Sequence, residues 1–203
     1  MRRNMSLLNW LSGLAFACAT ALCCPETAHA ALNARDLHTR VLESNVADEP
    51  RAAVRESEAL KQQAVKRGDK TQLLRALRLM VMAAAQLEES ISLAKLTTEG
   101  LLLARELRDA QAETEFLAAK AIALSSTGKF LDAQLEFDEA INVAVKAGLK
   151  RAATGVMVSK AFVHGLLGRD TDFLDLLFKA YRQCVEMGDD ENARSTLSAI
   201  GNA

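Results

Sequence analysis

The side chains best suited to chemistry in this sequence are four cysteines, three histidines and a short run of carboxylates, and their spacing argues against most of that chemistry. Cys18, Cys23 and Cys24 crowd an apolar N-terminal stretch, Cys184 stands alone, and His29, His38 and His164 lie far apart. A zinc site draws its thiolates and imidazoles from short spacings, which this arrangement does not offer. The sequence has no G-x-S-x-G elbow, H-E-x-x-H helix, Walker loop or dinucleotide glycine fingerprint. Asp132, Glu136 and Glu139 would share one helical face beside Phe130 and Phe137; such a row reads as a solvated face, with paired acid/base catalysis as the alternative. His164 reads as a core or edge histidine rather than a ligand or pH sensor, and Cys184 as a small buried residue rather than a reactive thiol. The expectation is a chain with no catalytic residue, no metal and no cofactor.

Residues 1–30 have the form of an export signal. Arg2 and Arg3 give a positive start, Leu7 to Cys24 is mostly apolar, Pro25 breaks the helix, and Ala28-His29-Ala30 offers small residues at the cleavage-defining positions before Ala31. The expected location is the periplasm or an extracellular space. An uncleaved helix anchored in the inner membrane is the alternative, because the apolar stretch is about long enough to span a bilayer. A lipoprotein fits less well, since neither Cys23 nor Cys24 follows the usual Gly or Ala. Cleavage removes three of the four cysteines and Trp10, so the mature domain keeps Cys184 alone and forms no internal disulfide.

The remaining chain must therefore be stabilised by packing. Lys+Arg number 25 against Asp+Glu 26, a net charge of -1, which gives no basic footprint for nucleic acid. Hydrophobic residues make up 50% of the 203, which excludes disorder, while 2 prolines and 4% aromatics point to an all-α protein.

A forty-residue repeat organises the helices. Loop-like spots place Gly68, Arg108, Gly148 and Gly188 forty residues apart; Leu37, Leu77, Leu117, Met157 and Leu197 form an apolar column in the same register, and Ala64, Ala104, Ala144 and Cys184 a small one. Gly100, Ala140 and Ala180 make a second small column that Leu60 breaks, as expected if the first pair is more widely spaced. The units are 31–69, 70–109, 110–149 and 150–189, with a partial fifth over 190–203. Within them, first helices are predicted over Thr71 to Gln86, Gln111 to Ser126 and Arg151 to Leu167, and second helices over Ser90 to Leu107, Phe130 to Ala147 and Thr171 to Met187. An earlier pair fits Asn33 to Val46 and Arg51 to Arg67, and a ninth helix begins near Asp190. Small residues recur because helices stacked roughly 8–10 Å apart bring some positions against a neighbouring backbone.

The series Leu117, Ala121, Leu124, Gly128, Phe130, Ala133, Phe137 and Ala140 resembles the tetratricopeptide repeat (TPR) family, and the resemblance covers about residues 31–203. The sequence departs from the pattern at His164, Asp170 and Phe173 in the next unit, at Glu88, Ser90 and Thr97 in the one before, and at Lys120 and Lys160, where the family is commonly apolar. Its period also exceeds the family's usual length of about 34 residues, as in extended TPR-like proteins of bacterial signalling. The resemblance implies a right-handed superhelical solenoid of antiparallel helix pairs whose first helices line a concave side. The matching residues are Arg75, Arg78 and Met82; Glu115, Ala118 and Ile122; and Val158, Ser159, Phe162 and Leu166. A peptide or partner helix would lie there, with a carboxylate near Arg75 and Arg78. The alternative is that these residues pack inside a tightly wound repeat.

In register, Leu197 and Gly201 match Leu117 and Ala121. Asp190 to Ala203 is then either a capping helix or the start of a unit in a shortened version of a longer protein. The expected function is an exported, non-catalytic module binding a protein or peptide partner, with membrane contact only if the N-terminal segment stays uncleaved and with homo-oligomerisation through the terminal repeat as an option. The alternative is the sensory portion of a membrane-bound signalling protein, since the array also resembles the exported sensor region of bacterial diguanylate cyclases.

Overall fold

The computed structural model describes residues 49–87 and 90–201. The signal-like segment, the predicted helix over Asn33 to Val46 and the Glu88-Glu89 break lie outside the described residues. Eight helices follow one another, with no strand among the described residues: α1 (Pro50–Arg67), α2 (Lys70–Gln86), α3 (Ser90–Leu107), α4 (Ala110–Ser126), α5 (Phe130–Lys146), α6 (Lys150–Leu166), α7 (Asp170–Glu186) and α8 (Asp190–Gly201). The protein is all-α, a succession of helices that within each compact unit pack on their neighbours in sequence, as in an α-solenoid.

Every described helix begins twenty residues after the one before, so the underlying step is half the period seen in the side chains. One backbone device sets that step. At six turns the first or second residue after the helix is left-handed, and the following N–H bonds back to a carbonyl five residues earlier: Asp69 to Ala64, Asp109 to Ala104, Lys129 to Leu124, Leu149 to Ala144, Arg169 to His164 and Asp189 to Cys184, all at 2.8–3.0 Å. This closure satisfies carbonyls that would otherwise be orphaned at the helix end. Where the next residue is Asp, its carboxylate also caps the coming helix: Asp69 Oδ1 accepts from the Gln72 N–H at 3.0 Å, and Asp109 Oδ1 from that of Ala112 at 2.9 Å.

The chain divides into two compact units, one ending at Ala112 and the other beginning at Glu113. In the first, α2 packs against both α1 and α3. Ala53, Leu79 and Ala83 form a core cluster on which Val54, Leu60 and Met82 rest, so Leu60 is accommodated at the edge of the seam where later helices carry a small residue. Lys61 reaches from α1 to Glu99 of α3 at 2.7 Å, and Lys70 pairs with Glu106. In the second unit α6 packs against α5 and α7, and α7 against α8. Three contacts fix α6 and α7 as antiparallel: Thr154 with Gln183, Phe162 with Phe173, and His164 with Asp172.

First and second helices are buried differently. α6 buries nine residues spread around the helix, whereas α5 and α7 bury four each, all on one stripe. That stripe is Ala133, Phe137, Ala140 and Ala144 in α5, and Phe173, Leu177, Ala180 and Cys184 in α7, the helical spacing of a single covered face. The small column is thus a core column throughout: Ala64, Ala104, Ala144 and Cys184 are all buried. The apolar column is buried at Leu77, Leu117 and Met157, but Leu197 on α8 is half exposed. Buried hydroxyls are satisfied within their own helices, as where Ser57 donates to the Ala53 carbonyl and Ser125 to that of Ala121.

The left-handed turn gives a direct test. Gly148 has φ +72 with open space where a Cβ would stand, and Arg108, at the same place in the preceding unit, holds φ 55 with a side chain attached. Arg108→Gly is expected to raise stability in urea unfolding by about 0.5–1 kcal/mol, and Gly148→Ala to lower it by about 1 kcal/mol from backbone strain alone. Equal midpoints for all three proteins would remove the turn from its governing role.

Candidate functional site

The expected groove residues fall on three first helices. On α2, Arg75, Arg78 and Met82 are half-buried; on α4, Glu115, Ala118 and Ile122 are half-buried; on α6, Ser159 and Phe162 are half-buried and Leu166 is exposed. Their spacing of three and four residues sets each group on one face of its helix. Each of these rows is left partly open by the packing, and α4 carries a second such row at Glu113, Lys120 and Leu124. Val158 departs from the expectation: it is buried and belongs to the core, because the face of α6 that carries it is covered by packing. Arg75, Arg78 and Met82 lie in the first compact unit, and the α4 and α6 residues in the second.

Two strip residues also serve the packing. Met82 rests on the Ala53, Leu79 and Ala83 cluster, and Phe162 meets Phe173 of α7 in a tilted ring contact with centroids 5.5 Å apart. Gly165, one turn beyond Phe162, faces the same Phe173 ring, and a Cβ there would meet it in ordinary van der Waals contact at 3.5 Å. The open strip of α6 thus has a fixed aromatic wall, with Leu166 as its exposed end.

His164 lies beside this wall but faces inward. The imidazole is buried, with Nδ1 3.5 Å from Asp172 Oδ2 at the start of α7, the outer limit of a hydrogen bond. Burial, more than any other influence, holds its pKa below the usual 6.5; Asp172 opposes this, while the positive charges of Lys160 and Arg169 add to it. The sequence reading of a core histidine agrees with this burial. Cys184 is likewise buried, and burial followed by the nearby Asp189 pushes its thiol pKa up, with Thr196 and Arg151 opposing. A thiol so placed is a poor nucleophile.

The sequence missed the seam ion pairs. Lys120 of α4 reaches Glu136 of α5 at 2.5 Å, and Lys160 of α6 reaches Asp138 of α5 at 2.5 Å. These are the two lysines that depart from the apolar TPR-like pattern. Their carboxylate partners lie on the adjacent helix, where a repeat pattern read along the chain does not look. Glu136 is accordingly a half-buried partner of Lys120 and not part of a solvated row, while Asp132 and Glu139 are exposed. At the other end of the unit Arg151 Nε lies 3.1 Å from the buried Asp189 carboxylate, which also accepts from Asn192.

Among the described residues no group of three or more His, Cys, Asp or Glu side chains is placed to hold a metal ion. No described helix is long and apolar enough to cross a membrane. No protein-family model matches the sequence, and no curated protein matches it either.

Because the folded-state pKa of His164 is depressed, the residue contributes stability above pH 6.5 that is lost as pH falls through that value, where the unfolded chain takes up the proton more readily. Urea midpoints for the wild type and His164→Gln, compared at pH about 7.5 and about 5.5, are expected to show the larger acid loss in the wild type. Identical losses in the two proteins would mean that the buried imidazole is not what the protein loses on acidification.

Proposed function

We propose that this protein is an exported, TPR-like, non-catalytic module that binds a protein or peptide through the partly open strips of its first helices. The observation that carries the reading is a half-exposed row on each of α2, α4 and α6 that coincides at Met82, Ile122 and Phe162, three apolar side chains forty residues apart in one register position. Two of the rows combine an apolar anchor with adjacent charge, Met82 with Arg75 and Arg78 in the first unit and Ile122 with Glu115 in the second, while the α6 row, Phe162 with Leu166, is apolar. That composition suits a peptide or helix whose side chains enter at helical or extended spacing while its charges stay at the rim. Export is supported by the positive, apolar and small-residue order of residues 1–30.

A photo-crosslinking residue placed at Ile122 or Leu166 and activated in living cells tests this. Both positions are expected to yield covalent adducts with a larger partner, while the same residue at the exposed Lys179 of α7 yields none. Adducts confined to Lys179, or absent from all three positions, would overturn the strip as the binding surface.

A further inference from the structure

The outer face of α5 carries a feature that neither the packing nor the strips account for. Leu131 and Leu135 are 75% and 70% exposed, the most open large apolar side chains among the described residues, and Val145 lies further along the same face. Residues four apart are neighbours on a helix surface, so the two leucines form one exposed ridge. The buried stripe of α5 is complete without them. At the register position of Leu135 the other second helices place Arg55, Lys95 and Asp175, all exposed, so the fold requires no apolar side chain there.

The charged side chains one turn to either side of Leu135 are both acidic, while the exposed Lys129 stands at the start of the helix, two residues before Leu131. Leu135 is flanked by Asp132, three residues before it, and Glu139, four after it, both exposed. The other two carboxylates of the helix, Glu136 and Asp138, are taken by Lys120 and Lys160. An anionic membrane would be repelled by these two carboxylates. From this charge pattern we infer that the Leu131–Leu135 ridge of α5 docks a basic amphipathic helix of another protein, its apolar side chains on the two leucines and its Lys or Arg side chains on Asp132 and Glu139. This surface is distinct from the strips of the first helices, and its occupancy does not depend on them.

The test uses the full chain and a fluorescent helix-forming peptide of Leu, Ala and Lys, with a counterpart in which every Lys is Glu. Wild type is expected to bind the Lys peptide and not the Glu peptide. Leu131→Ser combined with Leu135→Ser keeps the charge and is expected to weaken binding at least about tenfold, as loss of a desolvated apolar anchor does. Asp132→Asn with Glu139→Gln, which keeps the leucines and touches only exposed groups, is expected to weaken it about three- to tenfold and to flatten its salt dependence. Binding of the serine variant within about twofold of wild type would show diffuse charge attraction and overturn the ridge as the site. So would an unchanged salt dependence in the Asn/Gln variant, or failure of wild type to bind either peptide. Sedimentation of the peptide-free protein supplies a further check: self-association of wild type that the serine variant abolishes would assign the ridge to a second copy and overturn the proposed occupant.

Discussion

The left-handed residue that ends each helix is the constraint on which the rest of this structure depends. It reverses the chain within three residues, and the bond from the next N–H to a carbonyl five residues earlier closes the old helix as the new one begins. A reversal that short turns the chain back on itself, and within each unit it brings successive helices into contact, as α6 and α7 show by their antiparallel pairing. Because the same turn recurs every twenty residues, the helices have nearly equal lengths and the seams between them have nearly equal registers. Five of the six described turns place Gly at this residue, and Arg108 alone holds the conformation with a side chain.

Once the turns fix the helices, the seams decide the side chains. Alanines at Ala133, Ala140 and Ala144 let α5 approach its neighbours, and Phe137 fills the space between them. Several polar groups inside the seams are paired across them, Thr154 with Gln183, Lys120 with Glu136, Lys160 with Asp138 and Arg151 with Asp189, whereas the buried Gln134 Nε2 and His164 Nδ1 have no hydrogen-bond partner among the described residues. Partly exposed pairs of this kind contribute little net stability, typically about 0–1 kcal/mol each. Their effect is better understood as selection. A helix slid by one residue along its neighbour would leave Lys160 or Asp189 in a desolvated place without its partner, which costs far more than the pair itself contributes.

The fold was largely legible in the sequence, and the reasons differ by feature. Helix boundaries such as Ser90 to Leu107 were readable because turn residues and apolar spacing agree there. The twenty-residue step was hidden because first and second helices meet different surroundings, so side chains repeat only every second helix while the backbone repeats every one. Residues such as Arg78, Ile122 and Phe162 were found on their partly open strips because helical spacing alone sets the face of a helix. Val158 was misplaced because that spacing does not say how far the neighbouring helix wraps around, and here it covers Val158 while leaving Ser159 half open. The ion pairs of Lys120 and Lys160 were missed because their meaning lies sixteen and twenty-two residues away on a facing helix.

The same separation between what packing uses and what it leaves over bears on function. A second helix needs one apolar stripe, and α5 and α7 both have theirs in full. Large apolar side chains outside the stripe lose free energy in water and return none to the fold, roughly 25 cal/mol for each Å² left exposed. Single instances are ordinary on any protein surface. A pair on adjacent turns, one member of which stands where equivalent helices carry Arg55, Lys95 and Asp175, is a local departure from the repeat's own rule at Leu135. In a repeat protein the shared positions describe the scaffold. The positions at which one unit breaks the pattern at an exposed site, without serving a seam, are where recognition can be encoded at no cost to the turns and stripes that hold the array together.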